Sequence, residues 1–514
     1  MKEKCTGKQV FYLSLIITAA IALWALAFHE SFTNVSNTIF GFLTEKFGWL
    51  YLASMLFFVI FVVCIALSKW GNIRLGADDS RPEYSTFSWF AMLFAAGMGV
   101  GLVFWGISEP VSHYIAPMPG IDSATPESAS FAMKASFMNW GIHPWANYAI
   151  LGMALAYFQF RKNRPGLVSS VLDPILGENK HTGVKNLVDI LAVFATVAGV
   201  QTSLCLGIFQ INSGLNHLFG VPKTLMVQVA IIVVMSVIYI WIAVSGIDKG
   251  VKAISNINLY IAIFLMIALV IIGPKVEIIN SFINGLGDYF GNFIEDSLEI
   301  SAYGDNSWVE NWRIFYWAWW ISWSPFVGVF IARISKGRSI RQFLSIVLLA
   351  PTVLSFLWFS TFGTLSTHVQ SLGNVDLTQF PSEQTLFATF SQLPFGFIAS
   401  VVAIILIITF FITSADSATY VLAMLSDDGN LKPKNNLKIF WGVLLATIAI
   451  VLLLSGGLVA LQNTLIIVAF PFSLIMVLIM VSLVIELLHE KDKMGLSITP
   501  TRYPKKDQPF KSYE

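Results

Sequence analysis

The sequence predicts an all-α protein that crosses a membrane about twelve times, with both ends on one side. Three observations predict it: composition, the recurrence of apolar runs, and the sorting of basic residues. Hydrophobic residues make up 56% of the 514 and charged residues 12%, at a mean hydropathy of +0.72, which no fully water-facing surface supports. A bilayer core about 30 Å thick takes roughly 20 apolar residues of helix, and about a dozen such runs are present. With both termini placed in the cytoplasm, every Lys and Arg except Lys46, Lys134, Lys223, Lys275 and Arg313 falls on that side. Shifting the count by one span destroys this asymmetry, so the number of spans is even.

The runs lie near 10–28, 49–68, 87–107, 136–160, 187–217, 224–245, 257–273, 309–333, 344–364, 394–420, 437–455 and 459–488. The first follows a short basic stretch, Met1 to Lys8, without a small-residue cleavage pattern, so a retained helix is expected. The third reads FAAGMGVGLVFWG and carries Gly97, Gly99 and Gly101 at alternate positions. Each Gly lowers helix preference by about 1 kcal/mol relative to Ala, which predicts unwinding there. The eighth, YWAWWISWSPFVG, holds Pro325, which lacks an amide proton and frees a carbonyl one turn earlier; a break is expected there too. The third and eighth spans run in opposite directions, the arrangement of an inverted repeat with a midplane site. Taken singly, the glycines also read as packing positions and Pro325 as a kink; the pairing favours a transporter.

Between the seventh and eighth spans, SFINGLGDYFGNFIEDSLEI places Phe282, Leu286, Tyr289, Phe290 and Phe293 at helical spacing, an amphipathic helix on the outer surface. After the eighth span, RISKGRSIRQF sets Arg333, Lys336, Arg338 and Arg341 against headgroups. The polar stretch from His489 to Glu514, with Pro500, Pro504 and Pro509, reads as a flexible tail. Cys5, Cys64 and Cys205 have no metal-ligand spacing and read as reduced residues.

The chemistry concentrates in the fourth, eighth and tenth spans. Trp319 and Trp320 lie four and three positions before Trp323 and share its helix face; Trp140, Trp145 and Tyr148 approach one face of the fourth span. Such aromatic faces attract a quaternary ammonium by about 2 kcal/mol or more per contact when desolvated. Trp312 and Trp317 lie nearer the outer end, where an interfacial belt and a binding role read equally well. In ITFFITSADSATY, Thr413 and Ser414 stand inside an apolar run with Asp416 beyond; their hydroxyls suit a small cation, or bond the preceding turn's carbonyls. The central portions of spans three to eight are read as free of ionisable groups, with Asp189 at the start of the fifth, so no proton relay is drawn. No nucleophile with a base, phosphate loop or metal-ligand set is evident, which argues against an enzyme.

At these residues the sequence resembles the betaine/choline/carnitine transporter family. GMGVGLVFWGISEP, from Gly97 to Pro110, is similar to its glycine-rich signature, and YWAWWISWSPFVGVFIARISKGRSIRQF to its tryptophan-rich eighth helix; the likeness runs on through ITSADSATY and covers all twelve spans. The sequence resembles in particular the glycine betaine importers of Gram-positive bacteria. The resemblance implies two peripheral helices (1–85), a first inverted repeat of five helices with the outer amphipathic helix (86–308), a second repeat (309–488) and a cytoplasmic tail (489–514). It also implies a homotrimer in the bacterial cell membrane.

Mapped residue by residue, the resemblance implies a substrate cage of Trp140, Tyr148, Trp319, Trp320 and Trp323, with Phe315, Met98 and Ser203 nearby, and Trp145 and Trp317 on the access route. It implies a sodium site at Ala95, Met98, Phe410, Thr413 and Ser414. A second sodium position resembles Thr196 with Phe326, but Val200 stands where a further hydroxyl is expected. Gly101 replaces the aspartate of proton-coupled choline members, which favours sodium and betaine. The expected activity is sodium-coupled import of glycine betaine or a related osmolyte, with sodium as coupling ion, no other cofactor, and no nucleic-acid partner. Proton-coupled choline or carnitine uptake and a betaine-binding osmosensor are the rivals.

Overall fold

The computed structural model describes residues 6–178, 180–245, 250–455 and 458–493. Among them the regular elements are helices. In chain order these are α1 (Thr6–Ala27), α2 (His29–Leu67), α3 (Thr86–Gly97), α4 (Gly99–Ile115), α5 (Pro126–Trp140), α6 (Ile142–Ala156), the short α7 (Asp173–Leu176), α8 (Thr182–Phe219) and α9 (Leu225–Ser245). Then come α10 (Gly250–Ile272), α11 (Lys275–Gly291), α12 (Phe293–Ser297), α13 (Phe315–Arg333), α14 (Ile340–Ser371), α15 (Ser382–Phe390), α16 (Gly396–Leu425), α17 (Asn435–Ser455) and α18 (Leu458–Lys493). Among the described residues ten helices are long and apolar enough to cross a membrane, and the bent pair α3–α4 adds an eleventh. The remaining expected span, 136–160, is built from α5 and α6, each 15 residues long.

The breaks fall partly where expected. Gly97 and Gly99 flank a one-residue interruption at Met98, and α3 meets α4 at 62°. Pro325, by contrast, lies inside the continuous α13. Asn147 donates its amide to the Trp320 carbonyl at 2.6 Å, and the Ser324 hydroxyl donates to the same oxygen at 3.3 Å. The carbonyl that Pro325 leaves without an amide is that of Ile321; these two bonds serve its neighbour Trp320 and tie α6 to the turn before the proline. The fourth span supplies the other break, at Gly141. Pro144 cannot return an amide to the Trp140 carbonyl, and the Ile142 amide leaves the helix to donate to the Tyr289 hydroxyl at 3.2 Å.

Helices in lipid have no hydrophobic force between them and associate through close packing of small residues. In the α6–α13 contact, a Cβ on Gly152 would lie 2.6 Å from Ile331 and one on Gly328 would lie 2.9 Å from Leu151. Each glycine seats the other helix's side chain, so no larger residue fits.

Several boundaries depart from expectation. Helix α2 starts at His29 rather than near 49, α14 runs on to Ser371, and α18 continues to Lys493. The expected tail therefore begins as helix, and 494–514 lie outside the described residues, as does Cys5. Cys64 is exposed and Cys205 buried, both free. The amphipathic helix forms as α11, with Tyr289 buried against the bundle, but Phe290 points away at 62% exposure. In the basic segment after α13, Arg338 does not face outward as expected: it is buried 3.9 Å over the Trp89 ring and donates to the Tyr84 carbonyl. Arg341 donates to the carbonyls of Ala66 and Ser68, tying α14 to the end of α2.

Candidate functional site

Most of the aromatic residues singled out in the sequence form one cluster where α13 packs on α6 and the end of α5. Trp319 and Trp320 stack at 5.0 Å and 11°, and Trp323 stands edge-on to both, at 6.1 and 6.4 Å. From the facing break, Trp140 meets Trp320 edge-on at 5.0 Å, and Tyr148 does so at 6.4 Å. Phe315 borders the cluster 5.9 Å from Trp319. All of these except Phe315 are buried.

Glycines set the positions of these rings. A Cβ on Gly101 would lie 3.3 Å from the tip of Trp140, one on Gly97 2.6 Å from Trp145, and one on Gly199 of α8 2.6 Å from Trp323. The glycine-rich stretch thus serves both readings, hosting the break at Met98 and seating two indoles. Trp145 lies edge-on to Tyr148 at 5.7 Å and so belongs to the cluster. Trp317 does not face the cluster rings: it stacks on His143 at 4.8 Å, beside Arg313.

Polar groups around the cluster divide into used and unused. The Trp140 indole donates to Glu109 and the Trp320 indole to the Asn139 carbonyl. The indole N–H groups of Trp145, Trp319 and Trp323 and the hydroxyls of Tyr148 and Ser203 are buried without a protein partner. These are donors that an anionic group could take up. Helix α4 begins at Gly99, and first-turn amides have no partner within a helix, which favours negative charge there.

Of the residues expected for the sodium site on α16, Ser414 reaches the same break. A Cβ on Gly99, whose φ is +23°, would lie 2.9 Å from Ser414 Oγ, so that hydroxyl faces the break from α16. Met98 is buried there, its carbonyl accepting from Leu102 at 3.0 Å; a carbonyl keeps a second lone pair for a cation. The Thr413 hydroxyl donates to the carbonyls of Phe410 and Thr409 at 3.0 and 3.1 Å and accepts from Asn258 of α10 at 3.2 Å. For Thr413 the back-bonded reading therefore holds in this arrangement. Ala95 is buried in α3 just before the break. Thr196 likewise bonds back, to Ala192 at 2.8 Å, and Phe326 packs on Trp323 at 5.7 Å.

The expectation of spans free of ionisable groups is corrected. Glu109, taken to lie past the third span, is buried inside α4, and His143 is buried inside α6. Asp416 is buried in mid-α16, with neither carboxylate oxygen hydrogen-bonded in the protein. Asp189 accepts from the Ser169 amide and hydroxyl at 2.9 and 2.5 Å. Tyr316, Asn139 and Asn147 were also missed as supports of the cluster. The one signal for Glu109 was a carboxylate running directly into Pro110, which reads as a helix end although α4 continues through it.

Residues 9–492 match the family described as BCCT, betaine/carnitine/choline family transporter. The chain is 47% identical over 485 residues to the glycine betaine transporter OpuD of Bacillus subtilis (strain 168), covering 94% of this chain and 95% of that one. It is 44% identical over 486 residues to an ectoine/hydroxyectoine transporter of Virgibacillus pantothenticus, covering 94% and 97%. A probable glycine betaine transporter of Desulfitobacterium hafniense (strain Y51) is 44% identical over 485 residues, covering 92% and 96%.

Proposed function

From the premise that this chain belongs to the betaine/carnitine/choline transporter family, we propose that it imports glycine betaine or a closely related osmolyte by sodium symport. The observation that carries the proposal is the convergence of Trp140, Tyr148, Trp319, Trp320 and Trp323 on one buried volume beside a broken helix. A trimethylammonium group donates no hydrogen bond and is held by ring faces, each worth about 2 kcal/mol or more once water is excluded. Its carboxylate takes the buried donors of the cluster, among them Ser203 Oγ, or the first amides of α4.

Sodium binds between the break and α16, at Ala95, Met98, Phe410, Thr413 and Ser414, and holds α3 and α4 in the arrangement that completes the cage. Coupling requires that the ion favour the substrate-competent state, since equal affinity for both states shifts nothing. Thr413 must rotate away from its own helix's carbonyls to ligate. The peripheral pair α1–α2, the two inverted repeats, cytoplasmic termini and a homotrimer complete this reading.

The test is uptake of labelled glycine betaine into proteoliposomes under an inward sodium gradient, compared with potassium and with a proton gradient. Accumulation with sodium alone is expected. Uptake driven by protons supports the choline-type rival, and binding without accumulation supports a sensor. Unlabelled ectoine in competition distinguishes the two substrate classes of the curated relatives.

A further inference from the structure

The carboxylate of Glu109 lies directly behind the aromatic cluster. Its Oε2 accepts from Trp140 Nε1 at 2.7 Å and from the Tyr316 hydroxyl at 2.6 Å; its Oε1 accepts from Asn139 Nδ2 at 2.8 Å and faces His113 Nε2 at 3.4 Å. Glu109 and Tyr316 are 0% exposed and Trp140 is 1% exposed. An indole, an amide, a phenol hydroxyl and an imidazole thus surround the carboxylate. Tyr316 in turn stacks on Trp319 at 5.8 Å and 25° and lies 5.7 Å from Trp320. Two hydrogen bonds donated to one carboxylate therefore hold rings on both sides of the cluster, on α5 and α13.

The geometry points to Glu109 as a positioning and specificity-determining residue, whose carboxylate fixes Trp140 and Tyr316 and biases the cluster toward a permanently cationic head group. This rests on the reading of the cluster as the substrate site. Two physical effects act together. A hydrogen bond to an anion polarises the donor, leaving the indole and phenol rings richer in electron density, and ring electron density is what attracts a cation. The charge itself also lies behind the ring wall in a water-excluded setting, where Coulomb interactions are strong. The charged groups beyond it do not cancel it: Arg313, within electrostatic range of Glu109, lies beside Glu299 and donates to the Asp296 carbonyl, and Lys134 pairs with Asp296. With Glu109 these are two basic and three acidic groups, which leave one net negative charge when the His113 imidazole is neutral.

The test compares glycine betaine with 3,3-dimethylbutanoate, which has the same shape but a neutral tert-butyl head. Affinities are read by calorimetry on the purified full-length protein. Wild type should prefer betaine by about tenfold or more. Glu109→Gln keeps the size but turns one oxygen into a donor facing donors, and the preference should fall below about threefold. Equal weakening of both ligands, with the preference intact, overturns the proposal, since that is what a purely structural role gives. If Glu109→Gln cannot be recovered folded, Tyr316→Phe decides: it removes one donor and keeps the ring, and an undiminished preference overturns the proposal. A wild type that binds no betaine overturns the substrate-site reading and this proposal with it. A wild type that binds while the variants keep its preference overturns this proposal alone.

Discussion

A methyl group placed on Gly199 would lie 2.6 Å from Trp323 Cδ1 and 2.7 Å from its Nε1, which Trp323 relieves only by moving. Gly199→Ala is therefore expected to weaken betaine binding about tenfold with the protein still folded, because displacing one ring forfeits about one cation–π contact; titration by intrinsic fluorescence measures it. Trp323→Leu should weaken binding at least as much, and unchanged affinity in either variant would refute the cage as drawn. The tryptophans were legible because their spacing, 319, 320 and 323, already places them on one helix face. Glu109 was not, because its partners Asn139, Trp140 and Tyr316 lie 30, 31 and 207 positions away. Nothing in the local sequence says that a carboxylate beside a proline will be buried and surrounded by donors.

At the scale of the element, length and apolarity were enough to locate the helices, whereas the places where helices break depend on partners elsewhere. Gly99 and Pro325 look like equal candidates in the sequence. Gly99 lies at the 62° bend with φ at +23° and faces Ser414, while α13 runs on unbroken through Pro325, tied to α6 by Asn147 on the turn before it. The two substitutions should therefore differ. Gly99→Ala imposes a backbone conformation costing about 1–3 kcal/mol and a 2.9 Å approach to Ser414 Oγ, so sodium-driven uptake should fall at least about tenfold. Pro325→Ala restores an amide to a helix that is already continuous, and uptake should stay within about threefold of wild type. Equal losses in vesicle uptake would mean that α13 must open at Pro325 during transport. The break at Gly141 had a signal, a glycine three residues before Pro144, but its acceptor, Tyr289, belongs to another helix.

At the scale of the whole molecule, an ion-pair cluster ties distant parts of the chain. Glu490 near the end of α18 accepts from Arg161 at 2.6 Å, Lys162 at 2.5 Å and Tyr157 at 3.0 Å, while Arg161 also reaches Asp78 at 2.8 Å and the Gly76 carbonyl at 3.1 Å. The α2–α3 connection, the end of the fourth span and the last helix meet there. Removing one partner of a buried pair strands the other's charge, which typically costs about 3–5 kcal/mol; with Lys162 still served by Glu486 at 3.0 Å, Glu490→Gln should cost about 2–3 kcal/mol. A lowered thermal midpoint of the purified protein, with betaine affinity little changed, is the expected result. An unchanged midpoint would show that the cluster contributes nothing net. The same cluster sets an order of events during biosynthesis. Synthesis must run 329 positions past Arg161 before Glu490 exists, so the side of Arg161 that it will occupy is completed late. A nascent chain stalled before α18 still lacks the carboxylate that Arg161 and Lys162 share, and so carries an unfinished charge centre between its earlier helices.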